Sequence, residues 1–225
     1  MSIRIQRLVL VTTLLAALVM SSESQAAPYL QLTTGFGLPH YAITADDSSV
    51  SPPDHYAESE SGVSTGGSLL LGQRLRPRIA LGVGALVALS LTSGGSNLTR
   101  NGQPYSLVDV KDNPFQFLGM VGPFVDIYPS PTLGLHVQAL VGYAEASYAQ
   151  IAQHPRSDDD PSGIGLVAGV GYDWSVSEHW SIGLLARITY ANLLLGASPF
   201  PDGMGSVSEH NTLVSPSLEA SFTYH

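Results

Sequence analysis

From Arg78 to Thr92 the chain reads RIALGVGALVALSLT, and its apolar content separates cleanly by parity. Ile79, Leu81, Val83, Ala85, Val87, Leu89 and Leu91 fall on one face; Ala80, Gly82, Gly84, Leu86, Ala88, Ser90 and Thr92 fall on the other. A period of two is the signature of a strand. As a helix, Ile79 to Leu91 would reach roughly 20 Å, short of the roughly 30 Å of hydrocarbon in a bilayer. As a strand the same residues reach about 43 Å, and a tilt near 45° projects that length to about 30 Å.

The alternation recurs in LQLTTGFGL, VSTGGSLLLGQRL, FQFLGMVGPFVDIY, LGLHVQALVGY, GIGLVAGVGYDW, WSIGLLARITY and VSPSLEASFTY, which predicts eight strands in all. Their connections alternate in kind. RPR (Arg76 to Arg78), PSPT (Pro129 to Thr132) and SVSEH (Ser175 to His179) are tight; the segments centred on Asp46 to Glu60, Ser93 to Asn113, Gln150 to Pro161 and Gly196 to Asn211 are long and polar. Short turns on one rim and long loops on the other are the pattern of an up-and-down transmembrane barrel. Closure follows from solvent chemistry, because hydrocarbon offers an open sheet edge no hydrogen-bond partners. A lipocalin-like soluble barrel would also use eight strands, but it needs a polar outer face that these segments lack.

Composition points the same way. Of 225 residues only 12% are charged and 44% are hydrophobic, against about 25% charge in ordinary soluble domains. There is no Cys, which excludes disulfides and Cys-based chemistry. Residues 1–26 read as a cleaved signal peptide of the Sec type: Arg4 and Arg7, an apolar run from Leu8 to Met20, and small residues Ser24 and Ala26 before the cut. The expected mature chain, 27–225, keeps seven basic and seventeen acidic residues, a balance that argues against nucleic acid.

Aromatic residues on the lipid parity gather at strand ends. Trp174, Trp180, Phe222 and Tyr224 mark the short-turn rim, and Phe36, Phe115, Phe117, Tyr143 and Tyr190 the opposite one, as two interfacial girdles would require. DWSVSEHWSIGLLARITY (Asp173 to Tyr190) and the terminal SLEASFTYH resemble the last hairpin and closing strand of small bacterial outer-membrane barrels, the OmpX-like, OmpA-barrel-like and OmpW-like proteins. The resemblance implies a Gram-negative outer-membrane location, contact with lipopolysaccharide, and recognition of the last strand by the barrel-insertion machinery. That family usually ends on Phe or Trp, whereas here Tyr224 is penultimate and His225 is last.

An eight-stranded lumen is narrow enough to be filled by side chains. The inward parity carries Arg74, Asp126, Asp173, Arg187 and Glu219, with Arg187 and Glu219 at similar depth on neighbouring strands. Unpaired charge in a dry lumen is costly, so these five are expected to pair and plug the barrel. The same parity holds Leu70, Leu86, Leu118, Met120, Phe124, Leu140, Val167 and Leu185. The expected function is therefore structural or cell-surface interaction without a cofactor. The alternative is an OmpW-like, porin-like conduit or binding site for small hydrophobic molecules.

An enzymatic reading rests on weaker patterns. Glu178, His179 and Ser181 lie at a tight turn on the rim opposite to the outer leaflet, the wrong side for lipid-modifying His–Ser chemistry. Ser208, Glu209 and His210 lie on the correct side but in a long loop with no strand to hold the geometry. No His pair has metal-ligand spacing on a strand. The acidic loops (Asp46, Asp47, Asp54, Glu58, Glu60 and Asp158 to Asp160) suit Ca²⁺ in charge, yet lack a D-x-D-x-D-G pattern.

Overall fold

The computed structural model describes residues 27–47, 54–92, 99–104, 115–130, 133–147, 160–199 and 206–224. The expected signal peptide, residues 1–26, lies outside them. All regular structure among these residues is β: β1 (Ala27–Gly37), β2 (His40–Asp47), β3 (Asp54–Arg76), β4 (Ile79–Thr92), β5 (Thr99–Arg100), β6 (Gln103–Pro104), β7 (Phe115–Ile127), β8 (Leu135–Ser147), β9 (Ser162–Ser175), β10 (Trp180–Pro199) and β11 (Ser206–Tyr224).

Eight staves close into an antiparallel barrel. The ladder runs β1, β11, β10, β9, β8, β7, β4, β3 and back to β1. The first stave is β1 followed by β2, interrupted at Leu38–Pro39; Leu38 N still donates to Pro216 O, and Pro39 O still accepts from Gly62 N. Following hydrogen-bonded partners around the wall from Arg74, through Ala80, Asp126, Gln138, Gly169, Arg187, Ser217 and Gly37, returns to β3 at Ser64, a shear of ten residues. That stagger corresponds to a strand tilt of about 40°.

Burial follows parity as the alternation requires. Leu81, Val87, Val137, Val141, Leu166, Val170, Ile182, Leu184 and Ile188 are exposed on the outside, while Leu70, Leu86, Leu118, Met120, Leu140, Val167 and Leu185 are buried inside. An apolar exterior around a mixed interior inverts the soluble arrangement.

Two of the expected loops are largely strand. His40–Asp47 and Asp54–Ser61 pair with each other, and β2 pairs in turn with Val207–Val214 of β11. With β10 beside β11, they form a sheet in the order β3, β2, β11, β10 that continues past the apolar belt. β3 is 23 residues long, about twice the 9–11 that cross a bilayer. The segment expected as a second long loop contributes the β5–β6 hairpin, docked on β3 through Tyr56↔Arg100 and Ala57↔Thr99. Its turn is Asn101–Gly102, both at positive φ, the conformation in which an Asn-Gly pair matches strand twist.

Candidate functional site

The staves project a continuous polar network into the half of the lumen nearest the short turns. Arg187 on β10 donates from Nη1 to Glu219 Oε2 at 2.7 Å and to Ser68 Oγ at 2.8 Å, and from Nη2 to Gln138 Oε1 at 2.5 Å. Thr33 Oγ1 also donates to Glu219 Oε2, and Ser217 Oγ to Oε1 at 2.9 Å. Gln138 Nε2 donates to Gln31 Oε1 at 2.8 Å, and Gln31 Nε2 to Thr223 Oγ1 at 3.2 Å.

Below this layer sits an aspartate pair. Asp126 accepts from Tyr29 OH at 2.7 Å and faces His136 Nδ1 at 2.8 Å. Asp173 accepts from Tyr128 OH and from Ser221 Oγ, each at 3.1 Å. The Tyr128 ring stacks on His136 at 5.1 Å and 11°, and the Arg74 guanidinium lies 4.6 Å from the Tyr128 ring centroid. Asp126 and His136 are fully buried, and Arg187, Glu219 and Asp173 nearly so.

Asp126, Asp173, Arg187 and Glu219 are buried and Arg74 is half-buried at the short-turn rim, and their partners differ from the expectation in one respect. Arg187 meets Glu219, whereas Arg74 pairs with neither aspartate: it donates to Pro77 O at 2.8 Å and stacks on Tyr128. The aspartates take hydroxyls and His136 instead, because Tyr29 and Tyr128 reach them from β1 and from the end of β7. Tyr29, Gln31, Thr33, Ser68, Tyr128, His136 and Gln138 were not foreseen as network members. His136 and Gln138 share the inward parity of LHVQALVGY, the signal that could have found them.

Room for these large polar groups comes from glycines directly opposite them on adjacent staves. A Cβ at Gly171 would sit 2.2 Å from His136 Nε2, and one at Gly183 would sit 2.2 Å from Asp173 Oδ1. Toward the long-loop rim the lumen turns apolar, with Leu86, Leu118, Met120, Leu140 and Val167 packed together. Beside them remains a cavity of ≈ 30 Å³ bordered by Tyr41, Ser64, Ser90, Thr189 and Ser215, space for about one water. Tyr41 and Ser90 hydroxyls then meet at 2.7 Å, and Gln116 Nε2 donates to Glu60 Oε2 at 2.9 Å.

Aromatic side chains band the exterior. Trp180 stacks on Phe222 at 4.5 Å and meets Tyr224 edge-on at 4.8 Å, next to the exposed Trp174. On the same outer face Phe36 and Tyr190 are exposed and Tyr143 is half-exposed toward the long loops; the Phe115 side chain lies outside the described residues. A closed wall, an apolar outer belt bounded by aromatics and a polar network within are the three requirements of a membrane-spanning sheet. The chain is a small eight-stranded transmembrane β-barrel.

No family model and no curated protein matches the sequence. Solved structures similar to this barrel include Neisserial surface protein A (TM-score 0.47, 14% identity, 89% of this chain and 99% of that one). OprG from Pseudomonas aeruginosa (0.45, 12%, 89% and 97%) is another, as is AlkL in DMPC bilayers (0.41, 13%, 90% and 92%).

The hydrolase-like clusters do not converge in this barrel. Ser181 is buried in the lumen, while Glu178 and His179 are exposed at the turn, where His179 packs 5.9 Å from the Tyr224 ring. Glu209 accepts from Asn211 Nδ2 at 2.7 Å, and His210 meets Asn192 Oδ1 at 2.8 Å on the other face. Among the described residues no group of three or more His, Asp or Glu could hold a metal ion.

Proposed function

We propose that this chain is a bacterial outer-membrane barrel without a through-channel, whose work is done by the β-extension and loops it displays at the cell surface. The filled lumen carries this reading. A buried ion-pair network occupies one half and packed aliphatic side chains the other, and the cavity left beside them holds about one water. Passage of ions or of a hydrophobic molecule would require displacing both layers.

The wall supports the same view. Its β7–β8 ladder skips Gly122 and Pro123, where proline lacks an N–H, but a Cβ at Gly122 would lie 2.0 Å from Val141 O. The two backbones therefore approach closely at Gly122, and the apolar hollow beside Pro123 is floored by the packed side chains of Phe124, Leu140 and Val167.

The extension of β3, β2, β11 and β10 rises clear of the belt with a polar outer face, including a His55–Asp46 contact at 2.6 Å and a His40–Ser61 contact at 3.0 Å. It is a surface for protein or glycan partners and for lipopolysaccharide headgroups, with no reaction assigned to it. At the other rim, the Phe222–Tyr224 end of β11 is the segment offered to the barrel-insertion machinery.

Planar-bilayer recording of the purified chain tests the central claim. The expected result is a bilayer that stays at baseline conductance; stable ohmic steps would overturn the occluded-lumen reading. Protease treatment of intact cells should cut within the extension and leave the barrel whole.

A further inference from the structure

We propose that His136 sits in the lumen as an imidazolium clamped between Asp126 and Asp173, and that its proton holds the short-turn end of the barrel closed. The ring is fully buried. Nδ1 lies 2.8 Å from Asp126 Oδ1, and Nε2, which has no hydrogen-bond partner, faces Asp173 Oδ1 at 3.8 Å. A neutral imidazole has one donor and one lone pair, so either tautomer would aim a lone pair at a carboxylate. Only the charged ring presents N–H to both.

Charge balance leads to the same species. Asp126, Asp173 and Glu219 supply three negative charges to this part of the lumen, and Arg74 and Arg187 supply two positive ones. His136 completes neutrality. The surrounding groups leave no substitute. Tyr29 on β1 and Tyr128 after β7 donate hydroxyls to the two aspartates, Arg74 on β3 is held by Pro77 O and the Tyr128 ring, and Arg187 on β10 is committed to Glu219, Ser68 and Gln138.

Loss of the ring proton leaves two carboxylates and a lone pair in contact without water, an arrangement relieved by letting water in. An imidazolium required by the fold stabilises it at low pH, and that contribution disappears as pH climbs through the ring's titration in the folded barrel. The device is therefore a proton-dependent clasp between β7, β8 and β9.

The test uses the full chain in detergent micelles, with NMR of the His136 ring nitrogens and amide protection factors measured from pH 6 to 10. At pH 7 both ring nitrogens should carry protons. As one is lost, protection should fall for 126–128, 135–138 and 171–175 but not for β2 or the outer part of β11. Asp173→Asn should move that step down by about one pH unit or more, and His136→Gln should abolish it. A neutral ring at pH 7, a ring that deprotonates with protection unchanged, or an unmoved step in Asp173→Asn would each overturn the proposal. Should His136→Gln fail to fold, the ring spectrum of the unaltered chain and the Asp173→Asn shift still decide it.

Discussion

Arg187 and Glu219, 32 residues apart in the chain, meet 2.7 Å apart inside the barrel across its last hairpin. Both are nearly fully buried, and each is also bonded to polar side chains of other staves: Arg187 to Ser68 and Gln138, Glu219 to Thr33. The pair thus ties β10 and β11 to β1, β3 and β8 through side chains as well as through the ladder.

Removing one member strands the other in a dry lumen. Arg187→Ala and Glu219→Ala should each destabilise the barrel by about 3–5 kcal/mol, and the double variant by clearly less than their sum. Urea unfolding from phospholipid vesicles measures all three. Strict additivity would mean that the two charges are independently hydrated.

Gly171→Ala places a methyl group 2.2 Å from His136 Nε2, with the ring held by Asp126 on one side and stacked on Tyr128. The ring cannot retreat without breaking one of those contacts, so a loss of about 1–3 kcal/mol is expected. The thermal midpoint of the folded form, read by its altered gel mobility, reports it.

Leu184 is half-exposed on the outer belt, and Ala42 is exposed on the outer face of β2 in the extension. Leu184→Arg should cost about 2–4 kcal/mol of folding free energy in vesicles, because its guanidinium would enter hydrocarbon. Ala42→Arg should stay within about 0.5 kcal/mol, because it meets water. Equal effects at the two sites would contradict the boundary drawn between belt and extension.

Asp54 anchors the β5–β6 hairpin, accepting from Arg100 and from Asn101 Nδ2, the latter at 2.9 Å. The hydrogen bond from Arg100, followed by that from Asn101, holds its carboxyl below the ordinary aspartate value. A depressed carboxyl contributes stability that is present above the unfolded-chain value near 3.9 and is lost as pH falls through the folded one. The hairpin should therefore stay docked from neutral pH down to about 4 and release only in stronger acid. Asp54→Ala should release it at pH 7. Limited proteolysis within 99–104 reads both, and resistance of Asp54→Ala to cleavage would count against the anchor.

Parity patterns carried the fold as far as they had two different solvents to report. Ile79–Leu91 and Leu133–Tyr143 alternate because one flank meets acyl chains and the other a packed interior. The same chain from His40 to Ser61 reads as a polar loop although most of it is strand. Only Tyr41 and Ile43 of β2 turn an apolar side chain into the interior, and from Tyr56 to Glu60 neither face is buried, so too little alternation is imposed to show.

Arg74, Asp126, Asp173, Arg187 and Glu219 could be assigned to the lumen from parity alone. Who meets whom could not. Tyr29 and Asp126 lie 97 residues apart, and Gln31 and Gln138 107 apart, yet each pair is in hydrogen-bond contact. Those meetings depend on the stagger accumulated around eight staves, and each one-residue shift in it moves every cross-lumen partner along its strand.

The sequence by itself determined the number of staves, the face each residue takes and the side on which the long connections lie, because alternation is local and is enforced by the solvent on each flank. Closure at a shear of ten, the clasp of His136 between two aspartates, the exclusion of Arg74 from that pair and the strand extension beyond the belt were decided by tertiary structure. They are relations between segments far apart in the chain, and register and shape set them where composition along one strand cannot.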